Sequence, residues 1–387
     1  MRYNKGQKWC AALVIGMVSI MCFSAGFYLL KPSSTAEPSL QFISIIFRHG
    51  ERAPVVWLPE GMHSDLSLWP EGLGSLLQIG KVNMFKLGRF LRRRYDGFLS
   101  VNYSPAELKV ISSDVDRCIM SAQLVLAGLY PPVGIQKWNA DLLWQPVPVH
   151  SLPRECDDII AVKKHCPLLS RERKQWIDRA SEDAQKNGEY LAFLSQKTGI
   201  TLTNLIQLMR LSDYMSGVKA LGLPRPDWYD ERIFKWIRTE YFFSFTKTDN
   251  RVKLESGVLI NEIVTNMKRK IDSATDFSRR LQLYAAHDLN LIHLWRGLNV
   301  SQEITDLPSH GAALLIELHK INGKYLVKIL YKNNADDEDL TVLKTVACQN
   351  NSSMDDDLCD FDHFSSALQS NIITNFDEAC RIPDELS

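Results

Sequence analysis

Three apolar, β-rich stretches of this chain each end in a cluster of polar residues, and this pairing restricts the possible folds more than any other feature. The stretches are residues 40–47, the segment that begins at Leu108, and residues 280–286. The clusters that follow them contain the side chains of Arg48, His49, Arg52, Arg117, His287 and Asp288. Because each stretch is short and nearly uncharged, we predict three buried strands.

Helical patterns alternate with these strands. Apolar residues recur with helical spacing over 74–95, a second helical segment ends at Pro131, and a third spans 254–270, directly before the last strand. This alternation at both ends of the chain predicts an α/β fold with a mostly parallel sheet flanked by helices. Such sheets bind ligands at the carboxyl ends of their strands, so we expect the three clusters to meet in one crevice.

The segment 155–250 differs from both ends of the chain, because it is rich in charged and aromatic residues and has few strand signals. We interpret it as an inserted helical cap. The predicted division is therefore residues 1–39 as an N-terminal signal anchor or signal peptide plus linker, 40–154 and 251–387 as the α/β domain that bears the clusters, and 155–250 as the cap. Residues 144–152 are predicted to be an extended connection, and Asn322-Gly323 predicts a type I′ hairpin turn.

The N-terminus has the pattern of a membrane-targeting segment. Basic residues precede residues 9–30, which carry no charge. A helix of that length spans the ~30 Å hydrocarbon core of a bilayer, whereas the apolar region of a cleaved signal peptide usually has ~7–15 residues. Length therefore favours an uncleaved signal anchor with a lumenal or extracellular remainder. Small residues at 24–26 and 34–36 leave cleavage and secretion open as the alternative.

Cysteines and sequons also indicate the secretory pathway. Beyond the N-terminal segment the chain contains Cys118, Cys156, Cys166, Cys348, Cys359 and Cys380, without the spacing of a metal site. Such cysteines indicate disulfides formed in an oxidising compartment. N-glycosylation sequons, which predict a glycoprotein, begin at Asn102, Asn299, Asn350 and Asn351.

The charge balance argues against a nucleic-acid-binding protein. Lys+Arg and Asp+Glu both number 45, so the chain has no global basic field. An anion site must therefore be local, and the three clusters supply one. Arginines bind phosphate oxygens bidentately, and a histidine among them has its pKa lowered, so its neutral imidazole can attack phosphorus.

This set of side chains predicts a phosphoryl-transfer site. His49 would become a phosphohistidine, the arginines would neutralise the transferring group, and Asp288 would protonate the leaving group. We expect no metal or other cofactor, because the guanidinium groups supply the positive charge. The other histidines are predicted to be structural, namely His63, His150, His165, His293, His310, His319 and His363.

Two motifs carry a resemblance to a known family. The pattern Arg-His-Gly-x-Arg-x-Pro that begins at Arg48, and Ala-Ala-His-Asp at 285–288, resemble the two signatures of the histidine acid phosphatases. The segments ISSDVDRCIMSAQLVLAGLYPP and ESGVLINEIVTNMKRK are similar to the prostatic and lysosomal acid phosphatase branch. The resemblance implies a phosphoglycerate-mutase-like fold with His49 as phosphate acceptor and Asp288 as acid. It also implies four phosphate-binding residues, Arg48, Arg52, Arg117 and His287.

The resemblance further implies disulfides and partners. Cys166 would pair with Cys380 and Cys348 with Cys359. The segment 309–311 occupies a place where the branch usually has a cysteine.

Members of the branch are commonly dimers, so a homodimer is expected. The expected substrates are small phosphomonoesters, with phosphoproteins and phospholipids also open, and no nucleic acid is expected as a partner.

Two other interpretations stay open. One is a catalytically silent surface protein that keeps the pocket for binding anions. The presence of both His49 and Asp288 favours the enzyme, because a binder needs neither a nucleophile nor an acid. The other is a phytase-like relative, which would need a broader basic rim than the sequence reveals.

Overall fold

The computed structural model describes residues 35–57, 63, 65–160, 165–185, 188–246, 248–272, 276–304, 306–348 and 357–382. The apolar N-terminal segment 9–30 therefore lies outside the described residues. Within them, no helix is both long enough and apolar enough to span a bilayer.

One mixed sheet forms the centre of the fold. Its strands are β1 (Leu40–Arg48), β2 (Leu108–Ser113), β3 (His150–Leu152), β4 (Leu281–Ala286), β5 (Ala313–Ile321), β6 (Lys324–Lys332), β7 (Thr341–Leu343) and β8 (Cys359–Asp360). Their order is β3-β2-β4-β1-β5-β6-β7, and β8 also pairs with β6. The first four strands in this order are parallel. From β1 onward the sheet continues with antiparallel pairs.

Helices cover the sheet. In the described residues they are α1 (Gln78–Arg94), α2 (Asp116–Leu129), α3 (Pro167–Gln185), α4 (Gly188–Thr198), α5 (Leu205–Ala220), α6 (Glu231–Phe243), α7 (Asp249–Ile271), α8 (Asp288–Gly297), α9 (Phe361–Ala367) and α10 (Phe376–Ala379). The predicted α/β class with flanking helices is thus confirmed. Helices α3 to α6 lie in the segment interpreted as a cap, and the division into domain and cap stays a prediction.

The local predictions differ from the structure at one strand. Residues 150–152, predicted to be part of an extended connection, form β3 at the edge of the sheet and pair with β2. All three residues are exposed, so no alternation of apolar and polar residues marks this strand. The predicted hairpin is present, with positive φ angles of 51° at Asn322 and 82° at Gly323.

Strand β1 is buried on both faces, which fixes the position of the residues that follow it. Phe42 and Ile46 pack into the apolar layer that includes residues of α7 and α8. Ile43, Ile45 and Phe47 pack into the layer on the other face, with residues of α1 and α2. Strand β1 is therefore held firmly on both sides, and Arg48, at its end, has little freedom of position.

Both disulfides implied by the resemblance are confirmed. Cys166 is bonded to Cys380 and Cys348 to Cys359. The first of these ties the start of α3 to the chain just after α10. Cys118 is buried and Cys156 exposed, and neither forms a disulfide among the described residues.

Candidate active site

The three polar clusters meet at one edge of the sheet, as expected from the carboxyl ends of parallel strands. The register places Arg48 of β1 beside Ala286 of β4, and Ala285 of β4 beside Ser112 of β2. The six predicted side chains consequently line a single cleft of about 1040 Å³. His49 lies at its base and is only 2% exposed.

Two hydrogen bonds determine the tautomer of His49. Its Nδ1 lies 2.9 Å from the carbonyl oxygen of Gly50, and its Nε2 lies 3.1 Å from Nε of Arg117. Burial, and then the charge of Arg117, lower the pKa of His49 well below its usual value, so the ring is neutral. A carbonyl only accepts and a guanidinium only donates, so Nδ1 carries the proton. The lone pair of Nε2 therefore faces the cleft side occupied by Arg117.

His287 is a second neutral imidazole beside His49. The two ring centroids are 5.5 Å apart, and Nε2 of His287 lies 3.0 Å from Oγ of Ser113. Burial, followed by the charge of Arg117, lowers the pKa of His287 to about 3. The thiol of Cys118 packs beneath this ring at 3.7 Å from Nε2, and burial raises its pKa to about 12. This cysteine is thus a packing residue, not a nucleophile.

Asp288 is paired with Arg48. Oδ2 of Asp288 lies 2.7 Å from Nη2 of Arg48, whose Nη1 donates to the carbonyl oxygen of Pro308 at 2.7 Å. Burial is the largest single effect and disfavours the carboxylate, but the guanidinium of Arg48, together with His287, the Leu289 N–H and Arg52, outweighs it and lowers the pKa of Asp288. Asp288 is the first residue of α8, and its Oδ1 accepts the backbone N–H of Leu289 at 2.8 Å. The carboxylate is therefore held in one orientation.

Arg52 is held by a carboxylate that the sequence did not indicate. Asp213 of α5 accepts from Nη2 and Nη1 of Arg52 at 2.8 and 3.2 Å, and it also accepts the backbone N–H of Val55 at 3.0 Å. Both side chains of the pair are largely buried, at 13% and 15% exposure. Asp213 therefore connects helix α5 to the loop after β1.

His310, which was predicted to be a structural histidine, also lines the cleft. Its ring centroid lies 5.6 Å from that of His49. His310 precedes β5, and β5 is antiparallel to β1, so the amino end of β5 lies at the same sheet edge as Arg48. A polar residue before an antiparallel neighbour of β1 is the signal that could have identified it.

The outer walls of the cleft mix charged and apolar side chains. The cations beyond those predicted are Arg154, Arg173, Arg210, Lys219 and Arg238, and the carboxylates are Glu51, Asp114, Asp157, Asp213, Glu231 and Asp306. Among the described residues, the walls have no excess of positive charge. In the described part of the chain, no three His, Cys, Asp or Glu side chains are arranged to hold a metal ion.

Comparisons with known proteins give consistent results. The family model described as histidine phosphatase superfamily (branch 2) matches residues 39–332. The chain is 33% identical over 310 residues to prostatic acid phosphatase of Bos taurus, covering 76% of this chain and 77% of the relative. It is 31% identical over 321 residues to lysosomal acid phosphatase of Bos taurus, covering 80% and 74%.

Solved structures resemble the fold. The phytase of Citrobacter braakii has a TM-score of 0.65 at 19% identity and covers 89% of this chain and 100% of its own. The Hafnia alvei phytase in its apo form has a TM-score of 0.65 at 18% identity, covering 89% and 98%. At such identities the likeness concerns the fold alone.

Proposed function

The chain belongs to the histidine phosphatase superfamily, branch 2, and we propose that it is an acid phosphatase that hydrolyses phosphate monoesters through a phosphohistidine on His49. The observation that carries this proposal is the orientation of His49. Its proton is held on Nδ1 by the Gly50 carbonyl, and its lone pair on Nε2 faces the guanidinium of Arg117. A neutral imidazole fixed in this way is a nucleophile directed towards a cation that binds phosphate.

The first chemical step is transfer of the phosphoryl group to His49. Nε2 attacks phosphorus, the P–N bond forms, and the bond from phosphorus to the ester oxygen breaks. Arg48, Arg52 and Arg117 offset the negative charge on the equatorial oxygens. Phosphoryl transfer needs positive charge at these oxygens to stabilise its transition state. Asp288 donates a proton to the departing alkoxide and becomes a carboxylate.

The second step releases phosphate. The Asp288 carboxylate accepts a proton from water as the water oxygen attacks phosphorus. The P–N bond breaks, its electron pair returns to Nε2 of His49, and inorganic phosphate leaves. At the end His49 is again a neutral imidazole, and Asp288 has regained the proton that it gave to the alkoxide. His287 holds phosphate together with the arginines.

A phosphomonoester screen tests this proposal. The full-length chain, expressed through the secretory pathway and purified, should release phosphate from small monoesters with a maximum below pH 7. A chelator should leave the rate unchanged, because the guanidinium groups supply the positive charge. His49→Ala should abolish turnover, whereas His150→Ala, at an exposed position on β3, is the matched control. Full activity of His49→Ala would refute the proposal.

The same screen separates the two alternatives. A wild-type chain that binds phosphate but turns over no ester would favour the catalytically silent surface protein. A preference for inositol polyphosphates over simple monoesters would favour the phytase-like relative. The mixed charge of the cleft walls supports the simple phosphatase over that second alternative.

Apolar residues in the cleft bear on the substrate class. Val55, Ile206, Met209, Phe242 and Leu307 are among its lining residues. They provide a surface for a leaving group with apolar atoms, so phosphoproteins and phospholipids belong in the screen together with small phosphomonoesters.

The proposed location is the secretory pathway, with residues 9–30 as an uncleaved membrane anchor and a lumenal or extracellular catalytic domain. The disulfides support an oxidising compartment. Asn102, the first residue of a sequon, is exposed and thus accessible for glycosylation. N-terminal sequencing of the mature protein decides between anchor and cleaved peptide, and cleavage after residue 26 or 36, with the protein in the medium, would contradict the anchor.

A homodimer is also proposed, and it is supported by an exposed apolar segment that precedes β3 in the sequence. Ile135, Trp138 and Leu143 are 96%, 57% and 72% exposed. Strand β3 is itself exposed and lies at the edge of the sheet. Sedimentation of the wild type and of Trp138→Glu tests this. A monomeric wild type would rule the dimer out.

A further inference from the structure

Two imidazoles, not one, lie beside the proposed nucleophile. The ring of His287 is 5.5 Å from that of His49, and the ring of His310 is 5.6 Å from it. Of these two neighbours of His49, only His287 lies in a signature motif. His310 is placed at the same distance by a different element, the loop that leads into β5.

The backbone of this loop fixes His310 over the site. Nη1 of Arg48 donates to the carbonyl oxygen of Pro308 at 2.7 Å, and the N–H of Gly311 donates to the carbonyl oxygen of His49 at 3.3 Å. Gly311 has a φ of +75°, and a Cβ there would lie 2.9 Å from Cε of Met84. The glycine thus allows a tight turn, and the turn directs His310 into the cleft.

The ring of His310 has an enclosed nitrogen without a protein partner. Its Nε2 is buried and has no hydrogen-bond partner among the described residues, and the same holds for Nε of Arg48 and Nε of Arg52. Buried polar atoms in native proteins are nearly always paired, because an unpaired one is costly. All three side chains line the same cleft, where a phosphoryl group would bring several acceptor oxygens.

Structural histidines elsewhere in the chain differ from His310. His293 is buried, and its Nε2 lies 3.2 Å from the carbonyl oxygen of Phe245. His319 is buried with both ring nitrogens engaged, one by Ser39 and one by Glu317. A histidine kept only for packing would be expected to have such a partner. His310 has none at Nε2.

The charge state of His310 suits a neutral donor. Burial, followed by the charges of Arg48, Arg52 and Arg117, lowers the pKa of His310 well below its usual value. The ring is therefore neutral and carries one N–H. Such a group adds a hydrogen bond to the site without adding a further positive charge to three guanidinium groups.

We propose that His310 is a further phosphate ligand, whose ring N–H donates to an oxygen of the phosphoryl group in the bound substrate and in the phosphohistidine. This assignment rests on the proposed function, because it takes the cleft to be a phosphomonoesterase site. It adds to that site a residue from outside both signature motifs.

The test compares two substitutions at this position. His310→Phe keeps an aromatic ring without a donor, and His310→Gln keeps an N–H donor without the ring. The inhibition constant of inorganic phosphate should rise at least ~10-fold in His310→Phe, as expected for loss of a hydrogen bond to a charged group. It should remain within ~3-fold of wild type in His310→Gln. An unchanged constant in His310→Phe, or equal losses in both variants, would overturn the assignment.

A second measurement on the wild type covers the case in which His310→Phe does not fold. With histidine rings labelled with ¹⁵N, adding phosphate should shift the His310 resonance, identified by its loss in His310→Gln. No shift at saturating phosphate would overturn the assignment. A shift in a wild type that hydrolyses no ester would uphold His310 as a ligand and refute the phosphatase, whereas an active wild type without a shift would refute only His310.

Discussion

Nε of Arg117 donates to Nε2 of His49 across 3.1 Å, while the other nitrogen of the same imidazole is bound to the Gly50 carbonyl. This arrangement has two consequences. It selects the tautomer in which Nε2 is the nucleophilic atom, and it places a cation at the position where phosphorus must arrive. A substrate phosphate would take over the Arg117 hydrogen bond and leave the lone pair free to attack.

The first prediction is that the phosphoryl group is carried on Nε2 of His49. Rapid quenching during turnover should trap an adduct that is labile in acid and stable in base, and ³¹P–¹⁵N coupling in ring-labelled protein should assign it to Nε2. His49→Ala should form no adduct. An adduct on Nδ1 would show that the Gly50 hydrogen bond does not persist during catalysis.

The second prediction concerns the ion pair between Arg52 and Asp213. Asp213→Ala leaves a largely buried guanidinium and the Val55 N–H without their acceptor, so the free energy of unfolding should fall by roughly 3 kcal/mol, the low end for a buried pair. The matched control is Asp336→Ala, which breaks a pair with Lys86 whose side chains are 48% and 68% exposed. That change should cost less than ~1 kcal/mol.

Chemical denaturation of both variants in the same buffer measures the difference. Equal losses in the two variants would mean that Asp213 does not hold helix α5 against the loop after β1. In that case its contacts with Arg52 contribute to phosphate binding alone.

The residues that the sequence identified share one property, which is that they follow strands. The carboxyl ends of β1, β2 and β4 converge because these strands are parallel neighbours, so a local pattern was sufficient to predict a long-range arrangement. His310 escaped this reasoning because it precedes a strand. The hairpin signal at Asn322 shows that β5 and β6 are antiparallel, but it does not show that β5 pairs with β1.

Asp213 could not be predicted because its position depends on how helix α5 packs. Helix α5 approaches the loop after β1 closely at Gly217, where a Cβ would lie 3.0 Å from Cδ of Pro54 and 3.1 Å from Cη2 of Trp69. This contact, one turn after Asp213, brings the carboxylate to Arg52. The sequence alone indicates that α5 is helical but does not indicate which of its faces meets the loop.

The third prediction is a pH dependence of stability from His293. Burial lowers the pKa of this ring to about 4, with the charges of Arg251 and Asp288 acting on it in opposite directions. An unfolded histidine has a pKa of ~6.5, so between these values the unfolded chain binds a proton that the folded chain does not. The free energy of unfolding therefore falls as the pH falls through this window. The decrease is about 1.4 kcal/mol per pH unit where the unfolded histidine is protonated and the folded one is not.

The variant His293→Gln isolates this effect, because glutamine can still donate to the Phe245 carbonyl but does not titrate. Relative to wild type, it should gain stability steadily as the pH is lowered from 6.5 to 4. The other histidines are common to both proteins and cancel in the difference. Parallel curves of unfolding free energy against pH would contradict the prediction.

The last prediction is that Asp288 protonates the leaving group. In the structure its carboxylate is paired with Arg48 at 2.7 Å and its pKa is lowered, which taken alone disfavours a general acid. A bound phosphate dianion competes for the same guanidinium, however, and its own charge raises the pKa of a neighbouring carboxyl. Substrate binding would thus convert Asp288 into an acid at the moment when a proton is needed.

Two substrates distinguish this role from a positioning role. The alkoxide of a glycerol or sugar phosphate is strongly basic and needs a proton, whereas p-nitrophenolate leaves without one. Asp288→Asn should therefore slow the phosphorylation of the enzyme by alkyl phosphates by ~10²–10⁴-fold, and that by p-nitrophenyl phosphate far less. Binding of inorganic phosphate should hold or tighten, because a negative charge next to Arg48 has been removed. If the ratio of the two phosphorylation rates were the same in wild type and Asp288→Asn, Asp288 would only orient Arg48 and the start of α8, and the proton would come from another group.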